Sequence, residues 1–483
     1  MIRQRWRQFA TWIALTSVAV TAAFLILRPD PYDVLRQADE RFAVGQYRAA
    51  LAIYDTIALP HGEAALRRGI VFTVRGEIDL AHRAFIAAMK AGLRPRDYQL
   101  ATLYFGHLAV LEDDSDAARR AWQMLTLCDP DRCAVRDLLL ADEALRAGQF
   151  AEAWSTYQTI RVETLPVDWA SFFRNRQALL AALFGLPAIP EAPAPSATLP
   201  PDPFLRPLLP PTPDPAILAA TLIANPTARP QLLGQIALDL GYDRLALAFF
   251  DQVDPAGPHG LAAAIYRAYA HLRLGNQQQG IVQLEQLATA HPADLRIGSL
   301  LALAYLQTGD LVTAAGRLQQ LRDTGATGPA LALAQAGLAL AQRDFVAAAD
   351  AYEQAVIAAP SADRARYVTL AARFHLDSGF ERCTSGLQAA QAAANLLPRD
   401  PETLTILAGI RYYCGDVVGA RAAATAAIEV GAGVEARFYY GLALSAGGDP
   451  ARGRAALEQV ADQAPASPWR RRAETALALI GGK

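Results

Sequence analysis

Few side chains in this sequence could do chemistry. Four cysteines, Cys128, Cys133, Cys383 and Cys414, are the most versatile of them. As thiolates they could hold a metal, in an oxidising compartment they could pair, and in the reducing cytosol they would stay free. The first two form a C-x4-C (CDPDRC), which without histidine neighbours is a poor zinc signature. The histidines, His61, His82, His107, His259, His271, His291 and His375, are dispersed along the chain. Lys90 and Lys483 are the only lysines, and neither follows a glycine-rich phosphate loop or suits Schiff-base chemistry. No HExxH or GxSxG occurs. The acidic run Asp113, Asp114, Ser115, Asp116 lacks the glycine and distal glutamate of a calcium loop and reads as a solvated turn. Gly431-Ala432-Gly433 has no preceding strand to make it a dinucleotide loop. No catalytic, cofactor-binding or metal-ligating residue is nominated.

The elements that would position these residues are helical. Hydrophobic residues make up 53% of the 483 and charged residues 19%, with a large alanine share. Alanine is the best helix former and lets helices pack closely. The net charge of −2 gives no global field favouring nucleic acid. Residues 9–27 (FATWIALTSVAVTAAFLIL) carry no charge. At about 1.5 Å per residue they suffice to cross a bilayer of roughly 30 Å. Arg3, Arg5 and Arg7 precede the stretch, while Asp30 and Asp33 follow it. The positive-inside rule then leaves 1–8 as a cytoplasmic tail and sends the bulk of the chain across. A cleaved signal peptide is the rival reading; its apolar core is usually shorter and ends at a small-x-small site.

A period of about 34 residues runs through the rest. The unit at 401, PETLTILAGIRYYCGDVVGARAAATAAIEVGAGV, needs no gap. Its eighth place is small in every unit: Ala38, Gly69, Gly106, Ala141, Gly234, Ala268, Ala302, Ala336, Ala372, Ala408 and Gly441. Its twentieth place is small as well: Ala50, Ala81, Ala118, Ala153, Ala246, Gly280, Ala314, Ala348, Gly386, Ala420 and Gly453. An aromatic follows four residues on in Tyr54, Phe85, Trp122, Tyr157 and Phe250. Asp113 stands where the turn glycine would be. The unit at 365 carries two extra residues between Gly379 and Pro398.

This pattern resembles the tetratricopeptide (TPR) family, a helix–turn–helix repeat. The resemblance covers about 31–167 and 227–467. It implies an all-α TPR α-solenoid in two arrays, 31–185 with about four repeats and 216–483 with about seven, each closed by a capping helix. Between them, 12 prolines in the 29 residues 187–215 favour extended polyproline II. We read 186–215 as a semi-rigid strut, with a ligand for a proline-binding groove as the alternative.

In the TPR family the first helices of the repeats line a concave groove through repeat positions 2, 5, 9, 12 and 13. Carried over, the groove candidates are Ile265, Tyr269, Arg273, Arg296, Arg373, Tyr412, Tyr413 and Phe438, with Leu272, Leu303, Leu306 and Leu442. In stacked repeats of this kind the helix ends carrying Cys383 and Cys414 adjoin, so a Cys383–Cys414 disulfide is expected. Cys128 and Cys133 flank a turn between repeats and could close a smaller ring; free thiols and a metal pair stay open. The functional expectation is a noncatalytic, single-pass membrane scaffold that binds protein partners on the extracytoplasmic side. The alternative is an accessory subunit of an envelope enzyme complex, for polysaccharide or cytochrome biogenesis.

Overall fold

The computed structural model describes residues 30–57, 62–186, 199–463 and 467–481. The apolar stretch 9–27 and the tail 1–8 lie outside them. Among the described residues no helix is long and apolar enough to cross a membrane. The chain divides into two compact units, 1–104 and 105–483.

The first unit contains α1 (Pro31–Ala43), α2 (Tyr47–Tyr54), α3 (Glu63–Val74) and α4 (Ile78–Ala91). The following helix, α5 (Pro95–Leu111), carries the division between the units. Ala38, Ala50 and Ala81 are fully buried where paired helices cross, and Gly69 leaves room for the Phe85 ring. Tyr54 donates to Asp39 at 2.6 Å, and Arg67 lies 3.4 Å from both Asp39 and Asp97.

The second unit continues with α6 (Ser115–Gln123), α7 (Pro130–Arg146), α8 (Phe150–Thr159), α9 (Val167–Leu183) and α10 (Pro215–Leu222). Then come the hairpins α11 (Arg229–Asp239) with α12 (Asp243–Phe250), α13 (Gly260–Arg273) with α14 (Gln277–Ala290), and α15 (Leu295–Gln307) with α16 (Leu311–Asp323). Next are α17 (Pro329–Ala341) with α18 (Phe345–Ala358), and α19 (Arg364–Ser378) with α20 (Leu387–Leu396). The last are α21 (Pro401–Tyr413) with α22 (Val417–Glu429), α23 (Val434–Ala446) with α24 (Pro450–Gln463), and the terminal α25 (Pro468–Gly481).

These are antiparallel hairpins of the TPR type, stacked one on the next. Each alanine at the eighth or twentieth place is buried. Asp294, Asp310, Asp344, Asp400 and Asp416 cap helix starts by accepting from backbone N–H groups. Asp113 and Arg343 adopt left-handed backbone, φ +58°, at the turn where most repeats place glycine. The two extra residues of the 365 unit fall in a π-helical turn, Arg382–Gly386, entered through Glu381 at φ +44°.

The proline-rich segment departs from the strut expectation. Its part 187–198 lies outside the described residues, but 199–215 is folded onto its own unit. The Leu199 N–H donates to the Leu165 carbonyl and the Val167 N–H to the Leu199 carbonyl, both at 3.1 Å. Asp202 meets Arg132 at 2.9 Å, and Leu205 and Leu208 are buried. Nor does α9 close an array end. Trp169, Phe172, Leu179 and Leu180 are buried along it, and Arg176, fully buried, reaches Asp142 on α7 and Tyr242 before α12. Within the second unit, the helices before and after the prolines are thus packed together around Arg176.

Candidate functional site

The eight groove candidates separate by position. Ile265 is only 7% exposed; it packs with Leu284, Ile297 and Leu301 between hairpins. Phe438 is 4% exposed because Trp469, at the start of α25, covers it with ring centroids 5.4 Å apart. Both are core residues and neither can line a groove. The expectation failed because its positional rule ignores local cover: a neighbouring hairpin over Ile265, a terminal helix over Phe438.

Three of the arginine candidates are held by carboxylates. Arg273 bonds Asp243 at 3.1 Å and donates to the Leu238 carbonyl at 2.7 Å. Arg296 folds back on its own helix cap, Asp294, at 2.6 Å. Arg373 joins two later hairpins through Glu435 at 2.6 Å and Glu402 at 3.6 Å. Each is partly satisfied before any ligand arrives.

Tyr269 is different. It stands 37% exposed on α13 and forms, with Leu272 on the same helix and Leu300, Leu303, Leu306 and Gln307 on α15, an open groove of about 370 Å³. Leu303 is 43% exposed. The spacing explains the alignment. Residues three and four apart share a helix face, so Tyr269–Leu272 and Leu300–Leu303–Leu306 each make a stripe. Arg273 sits 5.9 Å from the Tyr269 ring centre and brings one cation to the groove edge. Leu300 and Gln307 were missing from the candidates; Gln307 satisfies the positional rule, and Leu300 lies one place off it.

A second exposed aromatic, Tyr413, lies on α21. Tyr413 is 44% exposed, and the Arg382 guanidinium lies 4.3 Å from its ring centre. Tyr412 is half-buried beside it, centroids 5.5 Å apart. Burial, and then the neighbouring Tyr413, raise the Tyr412 hydroxyl above its ordinary range, so it is a neutral donor at physiological pH.

Cys414, next in sequence to Tyr413, is joined to Cys383, with Cα atoms 5.4 Å apart. Cys414 caps the end of α21 and Cys383 lies in the π turn before α20. Cys128 and Cys133 are likewise joined at a Cα distance of 5.4 Å. Among the described residues no group of three or more histidine, cysteine or acidic side chains could hold a metal ion.

No protein-family model matches the sequence, and no curated protein matches it. Solved structures with partial likeness include a tetratricopeptide repeat protein from Parabacteroides merdae, 13% identical over 51% of this chain and 96% of that one, TM-score 0.36. Another is pilF of Pseudomonas aeruginosa, 14% identical over 45% and 97%, TM-score 0.37. Yeast Tom70 is 11% identical over 94% and 96%, TM-score 0.36. At scores this low the likeness carries no argument about this chain.

Proposed function

We propose that this chain is a noncatalytic scaffold that binds a peptide segment of a protein partner in the Tyr269–Leu303 groove. One observation carries the reading: exposed Tyr269 and Leu303 stand on two successive first helices above half-buried Leu272, Leu300 and Leu306, with a cation at their edge. A soluble surface keeps few such side chains together without a use for them. An aromatic ring offers large contact area at small entropic loss, and an amphipathic helix laid in a groove meets such stripes at its own three-to-four spacing.

The location belongs to the same proposal. The uncharged 9–27 segment and the arginines before it support a single-pass anchor with the N-terminus in the cytoplasm and the repeats on the extracytoplasmic side. Two cysteine pairs placed for bonding fit an oxidising compartment. The alternative is an accessory subunit of an envelope enzyme complex, where the same groove would hold a catalytic partner or its substrate.

Photocrosslinking from position 303 of the full-length chain in its native membrane tests the groove. A small set of proteins crosslinked by wild type and lost with Tyr269→Ala supports it. Equal crosslinking by both chains, or random labelling, removes it. Protease added outside the intact inner membrane should degrade the repeats; protection would overturn the orientation.

A further inference from the structure

We infer that Cys128 and Cys133 form an exchange-active disulfide that takes two electrons from a dithiol protein, while Cys383–Cys414 is a structural bond. This rests on the proposed reading that the cysteines are oxidised where the chain works.

The surroundings of the two sulfurs of the smaller ring are unequal. Arg136, one turn into α7, places Nη1 3.7 Å from Cys128 Sγ. It is held there by donating to the Leu125 carbonyl and by pairing with Asp137 at 2.6 Å. The Cys128 carbonyl oxygen lies 3.2 Å from Cys133 Sγ. On reduction, Cys128 therefore meets a cation at 3.7 Å, with the Leu125 carbonyl farther off at 3.9 Å, whereas Cys133 meets an acceptor for its S–H at 3.2 Å. The first favours a thiolate and the second a protonated thiol. Both cysteines lie at the N-terminal end of α7, Cys128 just before its N-cap Asp129 and Cys133 in the first turn, where unpaired N–H groups favour negative charge on either. Asp129 and Asp131 within the ring oppose this, and Arg132 is engaged by Asp131 at 3.9 Å and Asp202 at 2.9 Å. Arg136, itself paired with Asp137, is the cation whose Nη1 reaches the sulfur.

An asymmetric pair has a preferred direction of exchange. A partner thiolate attacks Cys133 Sγ; the Cys128–Cys133 bond breaks and Cys128 leaves as a thiolate beside Arg136. The partner's second thiolate then attacks the partner sulfur of the mixed disulfide. Cys133 is released and takes a proton. The partner dithiol is oxidised to a disulfide and the ring is reduced, two electrons having moved. Stabilising the leaving thiolate speeds the first step and makes the pair more oxidising.

The ring's size agrees with this role. It spans 5 residues of sequence, against 31 for Cys383–Cys414, so it removes less freedom from the unfolded chain and contributes less as a staple. Met124 and Leu127, 71% and 89% exposed, stand beside it as an apolar rim against which a partner can seat. Around the larger ring, Arg382 is turned to the Tyr413 face and the Leu376 carbonyl instead of to sulfur.

The test is a redox titration of the full-length chain in glutathione buffers, with thiols trapped by alkylation and assigned by peptide mass. Counting thiols in the denatured, unreduced chain first reports whether the pairs are oxidised on isolation. That count judges the export reading alone, since the titration can begin from either redox state. The smaller ring should open with an equilibrium constant about tenfold or more above that of the larger ring. Arg136→Gln should narrow that gap and move the alkylation midpoint of Cys128 upward by about half a pH unit or more, whereas Arg136→Lys keeps both near wild type. Rings that open together, the larger ring opening first, or an Arg136→Gln chain with unchanged midpoint would each overturn the inference.

Discussion

Tyr242 donates its hydroxyl to Asp142 at 2.5 Å across 100 residues of sequence, joining the repeats that precede the proline-rich segment to those that follow it. Arg176 completes the cluster. Its Nε lies 2.9 Å from the Tyr242 oxygen and 3.4 Å from Asp142, its Nη2 donates to the Pro211 carbonyl, and its guanidinium stacks over the Phe172 and Tyr242 rings. Burial, and then the Asp142 carboxylate, push the Tyr242 hydroxyl well above its ordinary range, so it remains a donor.

Removing Asp142 leaves buried Arg176 without its carboxylate, and removing Arg176 leaves Asp142 only the ion pair with Arg146 at 3.2 Å. Arg176→Met or Asp142→Leu should destabilise by about 3–5 kcal/mol, whereas Tyr242→Phe should cost only about 1–2 kcal/mol. The loss should appear in hydrogen exchange of α7, α9 and α12 together. A variant that loosened only its own helix would show that the repeats on either side of the prolines open independently.

The second prediction concerns the helix crossings. A Cβ at Gly234 would stand 2.4 Å from the Phe250 ring, inside any allowed contact. Gly234→Ala gains up to about 1 kcal/mol of helix propensity but overpacks a core position, which costs about 1–3 kcal/mol. The sum should be destabilising. Gly316, exposed within α16, has nothing within 4 Å of its Cβ position. Gly316→Ala should therefore stabilise, by about 0.5–1 kcal/mol. Urea midpoints of the two variants moving the same way would contradict the crossing geometry.

How far the sequence disclosed these features depends on range. The 34-residue period is local, since each hairpin is made by residues about twelve apart, and small residues at fixed offsets report it directly. Even Asp113, in the left-handed turn, was visible as a substitution for glycine. The Asp142–Arg176–Tyr242 cluster had no such signal. An arginine on an amphipathic helix reads as solvated until the partner helix is known. Proline content likewise speaks for an extended chain, and it is silent about Arg132 meeting Asp202. Ile265 and Phe438 satisfied a positional rule for the groove and are buried, because what covers them comes from another element. Tyr269, with free space above it, was legible by the same rule.

Acid should weaken the structure near α5. Burial pushes the His107 imidazole down to about 4 from its ordinary 6.5. The unfolded chain therefore binds a proton that the folded chain refuses between those values. Stability is fully present above pH 6.5 and is lost as pH falls towards 4. The loss attributable to this one group is at most about 3 kcal/mol. His107→Asn should flatten the slope of unfolding free energy against pH in that window. An unchanged slope would mean that the imidazole titrates as in the unfolded chain.

The Cys383–Cys414 bond ties the turn before α20 to the end of α21, and so closes one repeat onto the next. Its effect should be local, because a stacked repeat array is stabilised by nearest-neighbour contacts. In the chain-entropy model a loop of this size contributes about 3–4 kcal/mol. The Cys383→Ala, Cys414→Ala double variant should lose protection from hydrogen exchange in α19 to α22, with little change at α13 and α15. The turn itself explains the locality: Glu381 is held in left-handed backbone, and the His375 Nδ1 interacts with the Phe380 carbonyl at 2.7 Å. With the bond gone, that turn has only such contacts to keep it closed, and exchange there should rise first. Loss of protection spread evenly through the second unit would instead make the bond a global constraint and the array a single cooperative body.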